Sequence, residues 1–198
     1  MTRLACLGLA TLLLASCAGL PEPSGNGFKL RVAVIPLRNA SNVPDAGSID
    51  TYLLIHELAR SDIFEPVEPG HVREILINER TVAQEVGPPV LRALRDELGV
   101  DLVVMGVVEA HQEEKGQGVA RSSMAATLMA TWKATLVWAG ESQVSGNDTG
   151  FVFRLGRLRT ADQVARRAAA DLVRQMEEVA IARKDQIIDE KISRAARR

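Results

Sequence analysis

The most reactive side chain near the start of the sequence is Cys17, one of only two cysteines. It follows Leu14-Ala15-Ser16. The small side chains of Ala15 and Ser16 leave the backbone ahead of Cys17 open to close approach, and the Cys17 thiol is a nucleophile. The other cysteine, Cys6, lies in the apolar run Leu4 to Leu14. The chain from Ala18 onward therefore has no disulfide and no thiol for a metal or a nucleophilic step. The three histidines, His56, His71 and His111, fall on separate elements without metal-ligand spacing. No glycine-rich phosphate loop or nucleophile elbow is present. Glu113-Glu114 reads as a solvated charge pair in a polar turn. Asn39-Ala40-Ser41 and Asn147-Asp148-Thr149 satisfy the N-x-S/T acceptor pattern, and both read as turns. The expectation from this inventory is no catalytic set, no metal site and no cofactor, hence a protein that is not an enzyme.

Arg3, the apolar run and the small residues after it have the three-part layout of an export signal. The run is too short for a bilayer span, which needs about 20 apolar residues. Leu14-Ala15-Ser16-Cys17 resembles the lipobox cut by the bacterial lipoprotein peptidase. That resemblance implies a signal peptide over 1–16, cleavage between Ser16 and Cys17, and a lipidated Cys17 held stably by several acyl chains. Ala18 rather than Asp follows the cysteine. In the sorting rule of enteric bacteria this implies the outer membrane, with the domain facing the periplasm. Residues 17–28 carry Pro21, Pro23, Gly25 and Gly27, the composition of a tether. Its reach is at most roughly 35 Å. The formal charge of −1 falls to −2 without Arg3, which gives no electrostatic case for nucleic acid as a partner.

Several elements must position whatever the domain does. Leu30 to Pro36 is a β-branched run that reads as a buried strand ending in a loop. Ser48 is the expected cap of a helix from Ile49 to Arg60. Ile63 to Val67 is a short extended piece, His71 to Arg80 a second helix, and Pro89 to Leu98 a third, closed by Gly99. Asp101 to Glu109 reads as a second buried strand, with a polar turn from His111 to Gly118 after it. Met124, Ala126, Leu128, Ala130 and Trp132 alternate with polar residues as in a half-buried strand. The chain then reverses at Lys133-Ala134 and returns as Thr135 to Val144. Thr160 to Gln163 has the form of a capping box opening a long helix. The fold class expected is α/β: a single domain over 29–176 with a mixed β-sheet covered by helices and a long C-terminal helix. Residues 177–198 read as a charged helical extension on which Ile187, Ile188 and Ile192 keep an apolar stripe, either solvated or in contact with a neighbouring subunit.

Val32-Ala33-Val34-Ile35-Pro36-Leu37-Arg38-Asn39-Ala40-Ser41 resembles the start of an envelope domain shared by curli-secretion lipoproteins, outer-membrane activators of penicillin-binding proteins and the N-terminal domain of TolB. Ile63 to Val67, Leu98 to Gly106 and Leu136 to Gly140 resemble later elements of that domain at the expected distances. The family commonly has Thr-Gly before the last of these, where this chain has Lys133-Ala134. Gly99 and Gly106 read as structural, and Trp138 as a core or strand-edge aromatic. Arg38, Asn39, Ser41 and Asn42 form a candidate binding loop at the end of a buried strand, with capping of the turn by Asn39 and Ser41 as the alternative. The resemblance implies a lipid-anchored periplasmic adaptor or assembly protein acting in envelope biogenesis or export. Its partners would be the membrane, an envelope protein and other copies of itself. A small-ligand receptor using Leu37 to Gly47 is the alternative. A curli-type pore subunit is disfavoured because only a short polar turn separates Glu109 from Ser122, and a peptidoglycan-synthase regulator because the tether is short.

Overall fold

The structure is a computed structural model. It describes residues 29–81, 86–116, 118–148 and 157–183, together with Gln186, Ile187, Asp189 and Ser193. Ser16, Cys17, the tether, Thr149 and most of the charged stretch after Arg183 lie outside the described residues.

The chain folds as a mixed sheet with helices on both faces. Strand β1 (Leu30–Val34) is flanked in parallel by β3 (Phe64–Pro66) and by the central β4 (Leu102–Gln112). The short β2 (Arg38–Asn39) continues beyond β1 along the same side of β4. Antiparallel β5 (Arg121–Ala130) and β6 (Thr135–Ser145) complete the order β3-β1-β4-β5-β6. Helices α1 (Ala46–Ala59) and α4 (Ala161–Ala182) cover one face, and α2 (Pro69–Asn78) and α3 (Pro88–Leu98) cover part of the other.

Two apolar cores result. The larger joins Val32, Val34, Leu102, Val104, Met124 and Leu128 on the strands to Leu54 and Leu58 of α1 and the alanine-rich face of α4. The smaller packs Ala33, Ile35 and Val103 against Val72, Ile75, Leu91 and Leu94. Alternate residues of β1 therefore feed opposite cores, which is why Leu30 to Pro36 reads as continuously apolar. Ile187, from the stripe expected on the C-terminal extension, is buried in the larger core of its own domain.

The capping box at α4 is present in full: Thr160 Oγ1 accepts from Gln163 N, and Gln163 Oε1 accepts from Thr160 N. Gly99 closes α3 with φ 65°. Trp132, expected on the strand, lies in the turn after β5, and Arg38–Asn39, expected as loop, form β2. Three further boundaries that differ from the sequence expectation bear on the site. Helix α1 begins at Ala46, and Ser48 is not its cap; that position belongs to Asp45 at φ 61°, whose side chain makes no capping bond. The cause is close packing, because a Cβ on Gly47 would come within 2.5 Å of Leu37 O, so the helix start is seated directly on the β1–β2 connection. Helix α2 starts at Pro69, where the missing proline N–H costs nothing, and Glu68 accepts from His71 N. Strand β4 extends to Gln112 and takes in His111, which the sequence places in a turn.

The hairpin from β5 to β6 turns on Ala134 with φ 51°. This is the left-handed region that glycine favours, and it falls at Lys133-Ala134, the pair that stands where the resemblance implies Thr-Gly. On β6, the Trp138 ring lies over Gly140, where any Cβ would collide with it. The aromatic sits on the edge strand and packs against the larger core.

Candidate functional site

The loop after β2 uses its polar side chains on itself. Asn39 Nδ2 donates to Val43 O at 2.8 Å, and Asn39 Oδ1 accepts from both Ser41 N and Ser41 Oγ. Ser41 Oγ in turn accepts from Val43 N. Asn39 and Ser41 thus cap the turn, while Arg38 and Asn42 are exposed beside them. Asp148 plays the same part after β6, its Oδ2 accepting from Ser145 N.

The polar cluster that the fold does bring together is centred on His111. Its Nδ1 lies 2.9 Å from Asp50 Oδ1 on α1, and its Nε2 lies 3.6 Å from Asp162 Oδ1 in the first turn of α4. The imidazole side chain is 5% exposed and Asp50 is fully buried, whereas Asp162 is 71% exposed. Burial raises the Asp50 carboxyl from 3.8 to about 6, against the opposing pull of His111 and with a smaller push from Asp162. Above that pH Asp50 is a carboxylate, which only accepts, so Nδ1 is the donor in the pair. The second Asp50 oxygen, Oδ2, is buried with no hydrogen-bond partner among the described residues.

Ser122 lies opposite His111 in the β4–β5 register, and its buried hydroxyl also has no hydrogen-bond partner among the described residues. A serine, a histidine and an aspartate are therefore neighbours. No hydrogen bond joins Ser122 Oγ to the imidazole in this structure.

His111 opens onto a cleft of about 600 Å³ between the start of α1, the end of β4 and the start of α4. Val43, Ile49, Val119 and Ala161 supply apolar wall, and Glu113, Lys115 and Asp162 line it with charge. Neighbouring Glu114 pairs with Arg157 at 3.2 Å, so the two adjacent glutamates have different surroundings. His56 and His71 lie elsewhere and are exposed.

No family model and no curated protein matches the chain. Solved structures do, at the level of fold. The PelC dodecamer from Paraburkholderia phytofirmans aligns at 15% identity and TM-score 0.51, over 73% of this chain and 86% of that one. This chain has a PelC-like fold. The hypothetical protein CT253 from Chlamydia trachomatis aligns at 12% identity and TM-score 0.52, over 78% and 99% of the two chains. The LpoB C-terminal domain from Salmonella enterica aligns at 14% identity and TM-score 0.46, over 61% and 86%. The fold found is the one that the family-like motifs of the sequence imply, with its open mixed sheet and long C-terminal helix.

His111, Asp50 and Asp162 escape sequence reasoning for one reason. Strict alternation from the inward-facing Val108 would point His111 outward. A bulge between Val108 and Ala110 shifts the register by one residue, so His111 pairs with inward-facing Ser122 and Glu109 turns out to meet Ser123 Oγ at 2.9 Å. The only sequence signal is that β-compatible residues continue past Glu109.

Proposed function

We propose that this chain is a lipid-anchored periplasmic adaptor or assembly protein of the bacterial outer membrane, acting through protein–protein contacts in envelope biogenesis or export and not through catalysis. The observation that carries the reading is Leu14-Ala15-Ser16-Cys17 placed about ten residues ahead of a domain with the PelC-like fold. The lipid supplies the membrane attachment, in keeping with the lack of any helix among the described residues long and apolar enough to cross a bilayer. A tether reaching at most roughly 35 Å keeps the domain beside its leaflet. The PelC structure is a dodecamer, and self-association of this chain is part of the proposal.

Two experiments test it. Cys17→Ala should move the protein from the membrane fraction to the soluble fraction while leaving it folded; retention on the membrane after a high-salt wash rules out the anchor. Crosslinking of intact envelopes and affinity capture through a tag after Arg198 should recover a specific envelope protein or further copies of the chain. Recovery no better than from a lipid-tethered control domain rules out the adaptor role.

A further inference from the structure

We propose that the His111 cleft is a receptor for a cationic side chain, the ammonium or guanidinium of a lysine or arginine on the partner protein. This deepens the adaptor reading and rests on it. His111, Asp162 and Glu113 present hydrogen-bond acceptors to the cleft, and His111 is held in place from behind by Asp50. In the tautomer that the Asp50 contact selects, Nδ1 carries the proton and the acceptor that faces the cleft is Nε2. Asp162 Oδ1 stands 3.6 Å from it, too far for the two atoms to hydrogen-bond and close enough for one nitrogen at about 2.9 Å to reach both. Glu113 adds a second carboxylate to the rim.

The imidazole cannot swing away to find other partners, because it is 5% exposed and fixed by a fully buried carboxylate. Asp50 Oδ2, behind the ring, is buried negative charge with no donor among the described residues, and it adds to the attraction for a cation at the mouth. Val43, Ile49 and Val119 give an apolar channel suited to the methylene stem of such a side chain. Lys115 is the one lysine or arginine among the described residues lining the cleft. Its presence makes the sign of the occupant's charge measurable: a cationic ligand competes with Lys115, and an anionic ligand needs it.

The test is titration of the full-length lipidated protein in detergent micelles, with ¹⁵N-labelled histidine, against agmatine, with succinate as the anionic counterpart. The His111 resonances, identified by their loss in His111→Gln, should shift saturably with agmatine and not with succinate. Those of His56 and His71 should stay in place. Asp162→Asn, an exposed change that leaves the fold intact, should weaken agmatine binding about fivefold, the value of one partly solvated charge contact. Lys115→Ala should strengthen it. Absence of an agmatine response, an equal or greater response to succinate, weaker agmatine binding in Lys115→Ala, or unchanged binding in Asp162→Asn overturns the proposal. Capture of the envelope partner by the Asp162→Asn chain separates this claim from the one beneath it. A partner captured equally well by both chains removes the cleft from the interface while the adaptor role stands. No partner captured by the unaltered chain removes the adaptor role, whatever agmatine does.

Discussion

On one side of the sheet, β3, β1 and the first half of β4 are parallel and have helices over both faces. On the other side, β5 and β6 are antiparallel, with α4 over one face and no helix over the opposite face among the described residues. The two halves meet within one strand. Val103 and Val107 project from the same face of β4, four residues apart; Val103 is fully buried beneath α2 and α3, while Val107 is partly exposed. The contrast shows that strand identity does not set the burial of a residue here. What sits on the face above it does: both valines have a parallel neighbour on one side and antiparallel β5 on the other, and only Val103 lies in the core beneath the second helical layer. The His111 cleft lies at the far end of that same strand, where β4 bulges and the helices α1 and α4 converge.

The sharpest way to break this comparison is a matched pair on β4. Val103→Ala should lower unfolding free energy by about 2 kcal/mol through lost burial and the cavity left behind. Val107→Ala should change it by no more than about 0.5 kcal/mol. Equal losses in chemical denaturation would mean that a second layer covers β5 and β6 as well.

Asp50 joins the two regions through His111, and its raised carboxyl gives a pH test. Because the folded state binds that proton more tightly than the unfolded state, Asp50 lowers stability as pH rises from about 4 to about 6, and its contribution is level above that range. The stability of the native chain relative to Asp50→Asn should therefore fall across that interval and then flatten. A difference that stays constant, or that grows with pH, contradicts burial as the dominant cause.

On the helix-covered face of the antiparallel half, Thr160→Ala removes the side-chain acceptor of the capping box at α4 and should cost about 1 kcal/mol in the same denaturation measurement. Ala134→Gly should have the smallest effect and the opposite sign. It relieves a left-handed alanine at the β5–β6 turn and should stabilise by about 0.5 kcal/mol, the strain relief outweighing the lost contact of a partly buried methyl and the added backbone freedom. A destabilising Ala134→Gly would show that the methyl contact with the smaller core matters more than the turn geometry.

Much of the architecture is legible in residue order because it depends on local rules. The apolar run after Lys29, the Pro-led α3 closed by Gly99, and the Thr160–Gln163 box each specify an element through caps, proline geometry or burial on both faces, and each is found within a residue or two of its expected place. The start of α1 is less legible. A serine stands at the right spacing for a cap, but the contact between Gly47 and the Leu37 carbonyl draws the helix start back to Ala46. Asn39 and Ser41 are visible as a pair, and the structure assigns them to the turn.

By itself the sequence determined the anchor motif at Cys17, the order of strands and helices, and the family-like pattern that implied the fold, since these are written in contiguous residues. Only the tertiary structure decided where polar chemistry gathers. His111, Asp50 and Asp162 come from β4, α1 and α4, and what unites them is one extra residue in β4. Side chains on a strand alternate with a period of two, so that single insertion reverses which face His111 occupies and carries it from a solvated turn into contact with a buried carboxylate.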